Sequence, residues 1–356
     1  MADYEILIDD LSGARVGQLP FEQLQMTLRF NTPGRAQISL PTSAAPVDFL
    51  VGTYRLVIRR NGTNLMSGIV SEARRRWDGG QDTLNLDVED DLALLAARLI
   101  VPVPLGPPYN SASHDVRTGP IETIMHQYVA WHAGANARAE RRIPGLTQAA
   151  DQARGATVTA RGRFVPLLGM LQYLADLGGF GFSLAGMQFQ IYEPQVSSAR
   201  FSREMNNLIN FERGVRQPDV NFVYVGGSGQ LENRIIVENW DFDSIQRWGR
   251  LEGWRDQRNL SDSAELQNVA ARALAERMQA AETIRWSAET TLDSIGLGQR
   301  VTVAFDGAEY TDIVREIRVE TDGVSEHVVV ASNADAPRIF QRLDAVENSL
   351  RLLEVQ

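Results

Sequence analysis

The chain contains no cysteine. Disulfides, thiolate zinc sites, iron–sulfur clusters and thiol nucleophiles are therefore excluded, which fits synthesis in a cytoplasm. It contains no lysine either, and all 35 basic residues are arginine. A P-loop ends in GK[ST] and a pyridoxal enzyme needs a Schiff-base lysine, so neither can be built. Histidine is scarce. His126 and His132 stand six apart, on different helix faces, and no HExxH or His-x3-His pattern involves them, His114 or His327. No cofactor and no metal are expected. No apolar run approaches the roughly 18 residues that cross a bilayer, so no membrane insertion is expected. The opening MADYEILIDD has acids where an export signal has bases. A net charge of −10 without a clustered positive face argues against tight nucleic-acid binding.

What the sequence does hold is β patterning. With 356 residues, 44% of them hydrophobic, two or three packed domains are expected at roughly 150 residues each. EILIDD, QMTLRF, AQISLP, RLVIRR, SGIVSEARRRW and TLNLDVED are apolar-alternating or β-rich, and SG, NTPG, NG and DGG separate them. Such short, evenly spaced strands predict a barrel or sandwich. DDLALLAARLI (Asp90–Ile100) predicts a short amphipathic helix, stopped by the proline-rich VPVPLGPPYNSAS. Helices are predicted from Thr118 to about Ala135 and over Phe164–Gly179, with a hairpin after them, so residues 99–199 read as an α/β insertion. β patterning returns at VNFVYVGG and RIIVEN. After an interruption comes a helix, DSAELQNVAARALAERMQAAE, capped at Ser261 or Ser263, with Glu265 three past Asp262 as in a capping box. TIRWSAET, RVTVAF, DIVREIRVE and HVVVAS then resume the strands.

One stretch occurs twice. RLVIRRNGTNLMSGIV (Arg55–Val70) and RVTVAFDGAEYTDIV (Arg300–Val314) both read as hairpins, with Asn61-Gly62 over Asp306-Gly307. Both turns belong to the class that needs φ > 0. After a single-residue gap, Ile69-Val70-Ser71-Glu72 lies over Ile313-Val314-Arg315-Glu316, and Asp78-Gly79 over Asp322-Gly323. One duplication is too few for a solenoid and suggests two copies of one β domain. The C-terminus carries a second regularity: Ile339, Leu343, Val346, Leu350 and Leu353 form a heptad seam, Leu343 and Leu350 at a, the others at d. This predicts an oligomer interface of higher order than a dimer. A helix packed back on its own domain has the same spacing.

Little in the sequence points to catalysis. VGGSGQ (Val225–Gln230) has glycines like a phosphate loop, but a strand follows it, so a tight hairpin loop is expected. Asp90/Asp91 and Asp241/Asp243 are carboxylate pairs such as a cell-wall hydrolase uses, and also such as helix starts favour. Trp240, Trp248 and Trp254 cluster near arginines, as in a glycan platform or an intersubunit contact.

The ordered series FEQLQMTLRFNTPGRAQISLP, YRLVIRRNGTNLMSGIVSEARR, LDVEDDLALLAARLIVP, the helix and hairpin at Leu171–Leu184, NFVYVGGSG and GLGQRVTV resembles a tail-protein family of siphoviruses infecting actinobacteria. Such proteins are similar to the baseplate hubs of contractile phages and injection systems. The resemblance implies a mainly β fold with α/β insertions: two tail-tube-like antiparallel β-barrels plus a C-terminal helix. The implied divisions are 1–98 for the first barrel, 99–199 for the insertion and 200–239 with 284–335 for the second barrel. Residues 240–283 would be an inserted loop and helix, and 336–356 a coiled-coil-like helix. It also implies a structural protein of the virion tail, made in the host cytoplasm and without catalytic residues. Three copies would form a pseudo-hexameric ring between a distal tail or tube protein and a tip, fibre or spike protein, with genomic DNA passing through unbound. The alternatives are a receptor- or glycan-binding tail module and a cell-wall hydrolase.

Overall fold

The computed structural model describes residues 2–332, apart from 12, 43–50, 53, 216, 259 and 279–281. The heptad residues Ile339, Leu343, Val346, Leu350 and Leu353 lie outside the described residues. The chain is mainly β with few helices, and it divides into two compact units, Met1–Ile209 with Ser287–Gln356, and Asn210–Trp286.

The first unit opens with β1 (Tyr4–Asp10), β2 (Arg15–Leu19), β3 (Gln23–Arg29), β4 (Arg35–Pro41), β5 (Tyr54–Arg60), β6 (Thr63–Asp78) and β7 (Gln81–Asp90). Alternation decides their faces: Leu24, Met26, Ile38, Leu40, Leu84 and Leu86 are buried, while Gln25, Gln37 and Asp87 lie opposite one another on the polar face. A single helical turn follows, α1 (Ala93–Ala96). The helix predicted over Asp90–Ile100 is thus much shorter. Asp90 accepts a hydrogen bond from the Leu92 amide at 2.7 Å and starts the turn. Leu99 and Ile100 then leave it as β8 (Leu99–Ile100) to pair with Pro166 and Val165.

The α/β segment comprises β9 (Asp115–Pro120), α2 (Ile121–His132), β10 (Thr147–Gln148), β11 (Thr157–Gly162), β12 (Val165–Pro166), α3 (Leu167–Gly178), β13 (Gly181–Ala185) and β14 (Gln188–Tyr192). Both long helices lie where the periodicity places them. Pro120 precedes the first, where a missing N–H costs nothing. Gly179 ends the second in the left-handed region at φ 69°. Their apolar faces meet the β13–β14 hairpin in one core that includes Ile124, Tyr128, Leu171, Leu174, Phe182 and Phe189. Each such side chain contributes about 1.5–3 kcal/mol on burial.

β15 (Val196–Ser202) follows, and β16 (Leu208–Val215) leads into the second unit. There β17 (Phe222–Gly226), β18 (Ile236–Trp240), α4 (Phe242–Trp248), β19 (Glu252–Asp256) and α5 (Ser263–Met278) form a small α/β body, and β20 (Glu282–Thr290) leads out. The sequence assigns 200–239 to a second barrel and 240–283 to an insertion; in the structure β17 pairs with β18 and with β19 inside the second unit. The cause is the face formed by Val223, Val225 and Val237, which α5 covers with Leu266, Ala270 and Leu274. Asp262 caps that helix, accepting from the Glu265 amide at 2.9 Å. VGGSGQ is a hairpin loop, as expected, with Gly229 at φ 101° against the Asn233 carbonyl.

The last strands are β21 (Arg300–Phe305), β22 (Ala308–Ile313), β23 (Glu316–Thr321) and β24 (Glu326–Ala331). In the first unit one large sheet runs in the order β20-β24-β23-β3-β4-β7-β6-β5-β1-β2, and β15-β21-β22 form another. Two tail-tube-like antiparallel β-barrels were expected; the described strands form no closed barrel. β3 gives its second edge to β23, from Glu316 opposite Arg29 to Thr321 opposite Leu24, so the early strands join the late ones. The sheet is nevertheless rolled. Six strand positions separate β5 from β24, which is about 29 Å on a flat sheet. Yet Arg60 of β5 reaches Glu326 of β24 at 2.6 Å and Asp293 at 2.6 Å. Tyr4 donates its hydroxyl to Glu326 at 2.7 Å.

Candidate functional site

The feature with the greatest bearing on function is the duplicated meander. Arg55 pairs with Ile69 in the first hairpin, and Arg300 with Ile313 in the second. The turns adopt the same conformation: φ is 49° and 78° at Asn61-Gly62, and 52° and 77° at Asp306-Gly307. The single-residue gap between the copies is a β-bulge. Ile58 faces Met66 while Arg59 faces Asn64, which leaves Leu65 without a partner. The register continues past the hairpins. Glu72 faces Asp87 and Trp77 faces Asp82; their counterparts Glu316 and Thr321 face Ala331 and Glu326, the matching positions. The copies part at one point. At Ser71 the first passes through a bulge and remains one strand. At the equivalent Arg315 the second leaves the β21–β22 sheet and continues as β23 beside β3.

The second unit presents an aromatic sheet face opposite α5. Phe222 lies across from Trp240, and Tyr224 across from Trp254. Residues opposite and two apart share a face, so all four side chains project together. Trp240 and Trp254 are 48% and 49% exposed. Trp240 stacks on Phe222 at 5.5 Å, 7° from parallel. Arg250 covers Phe222 at 3.6 Å and donates to the Tyr224 hydroxyl at 2.7 Å; Arg234 lies over Trp254 at 5.1 Å. Trp248 does not join this row: it ends α4, beneath the Arg247 guanidinium at 4.7 Å. The sequence drew attention to tryptophans but missed Phe222 and Tyr224, although the alternation of FVYV carries them.

The carboxylate pairs serve the fold. Asp91 is buried against Arg55 at 2.9 Å and accepts from Ser67. Burial pushes the Asp90 carboxyl up to about 6. Asp241 caps α4, accepting from the Ser244 amide at 2.6 Å, and Asp243 lies in the first turn. His132 is fully buried and bonded to Asp115 at 2.8 Å, and burial pushes its imidazole down. His126 meets Gln148, and His327 lies 3.9 Å from Glu289.

Residues 5–329 match the family described as siphovirus ReqiPepy6 Gp37-like protein. The chain belongs to that family. This Gp37-like chain is therefore a siphovirus-type tail protein, a structural component of the virion. Solved structures of tail proteins share its fold. The 43 kDa tail protein of prophage MuSo2 from Shewanella oneidensis superposes with a TM-score of 0.61 at 12% identity, over 92% of this chain and 97% of that one. The tail protein from Neisseria meningitidis MC58 gives 0.58 at 15%, over 93% and 97%. Prophage tail protein gp18 from Listeria monocytogenes EGD-e gives 0.56 at 10%, over 98% and 99%. No curated protein matches the Gp37-like sequence. No helix among the described residues is long and apolar enough to cross a membrane.

Proposed function

We propose that the chain is the hub of the tail, a homotrimer whose two meander copies per subunit make a pseudo-hexameric ring. The ring joins the end of the tail tube to the tip, fibre or spike and encloses part of the DNA path. The observation that carries this reading is the shared register of the copies, with identical turn conformations at Asn61-Gly62 and Asp306-Gly307. Three chains then offer six similar surfaces to a six-fold tube. In this reading 1–98 and 284–335 carry the tube-like copies, and 336–356 forms a short trimeric stalk through Ile339, Leu343, Val346, Leu350 and Leu353. The negative net charge keeps passing DNA from adhering. Engagement of Asp90 and Asp241 in caps and of Asp91 in a buried ion pair supports a structural role over hydrolysis. Light scattering on the purified full chain should give a trimer mass. Leu343→Glu with Leu350→Glu should shift it toward monomer, because two charges placed in the seam oppose association. A monomer at high micromolar concentration with tube protein added, or a trimer indifferent to both substitutions, would sink the proposal.

A second reading, a glycan-binding tail module, is favoured by the half-exposed Trp240 and Trp254 on one sheet face. Flat indole rings of this kind are suited to stacking on sugar rings. On a glycan array the full chain should then retain a saccharide that Trp254→Ala no longer retains. Absence of any retained saccharide removes this reading and leaves the face to protein contacts.

A further inference from the structure

α2 carries Glu122 and His126 one turn apart on the same face. The segment after β10 crosses the start of this helix. The Ile121 amide donates to the Ala156 carbonyl at 3.1 Å and the Glu122 amide to the Arg154 carbonyl at 3.2 Å. This crossing brings in Asp151. One ring nitrogen of His126 and one carboxylate oxygen each of Glu122 and Asp151 lie within 4.8 Å of one another.

Two details mark the group as more than a chance cluster. His126 is only 7% exposed, and its Nδ1 lies 2.9 Å from Gln148 Oε1. An amide oxygen only accepts, so Nδ1 holds the proton and Nε2 keeps a lone pair. Nε2 is buried and has no hydrogen-bond partner among the described residues, a costly state for an acceptor. Glu122 is 1% exposed and is gripped by Arg154. Nε and Nη2 donate to it at 2.9 and 2.8 Å, and the Arg154 amide at 2.9 Å. Asp151 is exposed and has a bond to the Ala153 amide through Oδ1, so an ion can arrive from solvent.

We propose that Glu122, His126 and Asp151 bind a divalent transition-metal ion of the zinc class, one imidazole and two carboxylates being a donor set that suits it. Gln148 fixes the tautomer of the imidazole and Arg154 orients the Glu122 carboxylate, the role that such outer partners have at metal sites. The Arg154 charge beside Glu122 tempers affinity. The ion fastens the segment around Asp151 to the start of α2. The test is calorimetric titration of zinc chloride into the full chain. One saturable site per chain is expected, weakened roughly tenfold or more by Asp151→Asn and lost in His126→Gln. Asp151 is exposed, so its substitution leaves folding intact and decides the matter even if His126→Gln fails to fold. No saturation up to about 1 mM zinc, or an affinity that Asp151→Asn leaves unchanged, overturns the proposal; the second result would place the ion elsewhere, as at His327.

Discussion

Asp91→Ala is expected to lower the unfolding free energy by about 3–5 kcal/mol, read as an earlier midpoint in urea. Both partners of the Arg55–Asp91 pair are buried, with 8% and 1% of their side chains exposed. Removing the carboxylate leaves a guanidinium that cannot deprotonate in a buried site, and it also strips Ser67 of its acceptor. The pair ties the hairpin strand β5 to the end of β7, so the loss falls on the first meander copy. The charge itself contributes less than its removal costs. Replacing both residues by leucine should recover most of the loss, because a packed apolar pair is often as stable as a buried ion pair. A double-mutant cycle separates the two effects. A loss below about 1 kcal/mol for Asp91→Ala would show that Arg55 finds another partner or water.

Arg60→Ala comes second, with an expected loss of about 2–4 kcal/mol. Its guanidinium holds Glu326 and Asp293, and Glu326 also accepts from Tyr4. These groups bring β5 against β24 across the rolled sheet, so the substitution removes a contact between distant parts of the sequence. Asp293→Asn should shift the midpoint far less, because Asp293 is mostly exposed and exposed pairs are screened. Equal effects from Arg60→Ala and Asp293→Asn would mean that Glu326 is not the principal partner.

Legibility in the sequence followed the range of the interaction. The hairpins at Arg55 and Arg300, and the type I′ turns in both, were readable because Asn-Gly and Asp-Gly are local signals for φ > 0. The two longer helices of the α/β segment were readable from periodicity and their proline and glycine ends. The gap in the repeat was visible, while its identity as a bulge at Leu65 was not, since a bulge is defined by the partner strand. The pairing of β3 with β23 joins Gln25 to Glu320, and nothing near either residue announces the other. For the same reason the pairing of β17 with β19 is not legible near either strand. Glu122 and His126 stood at helical spacing in IETIMHQ, but Asp151 is brought to them only by the chain crossing at Arg154.

The fastening at Arg60 has a consequence for alkaline conditions. An ammonium group would surrender its charge near pH 10.4, whereas a guanidinium keeps its proton beyond about pH 12. The sequence has no ammonium side chain. The Tyr4 phenol is pushed upward by burial and by the neighbouring Glu326 carboxylate, so it stays neutral where an ordinary tyrosine ionises. Between neutrality and strong alkali no group in this fastening changes charge. Base that dissolves ammonium-based bridges elsewhere in a particle leaves this one closed, and amine-directed cross-linkers find no side chain here to modify.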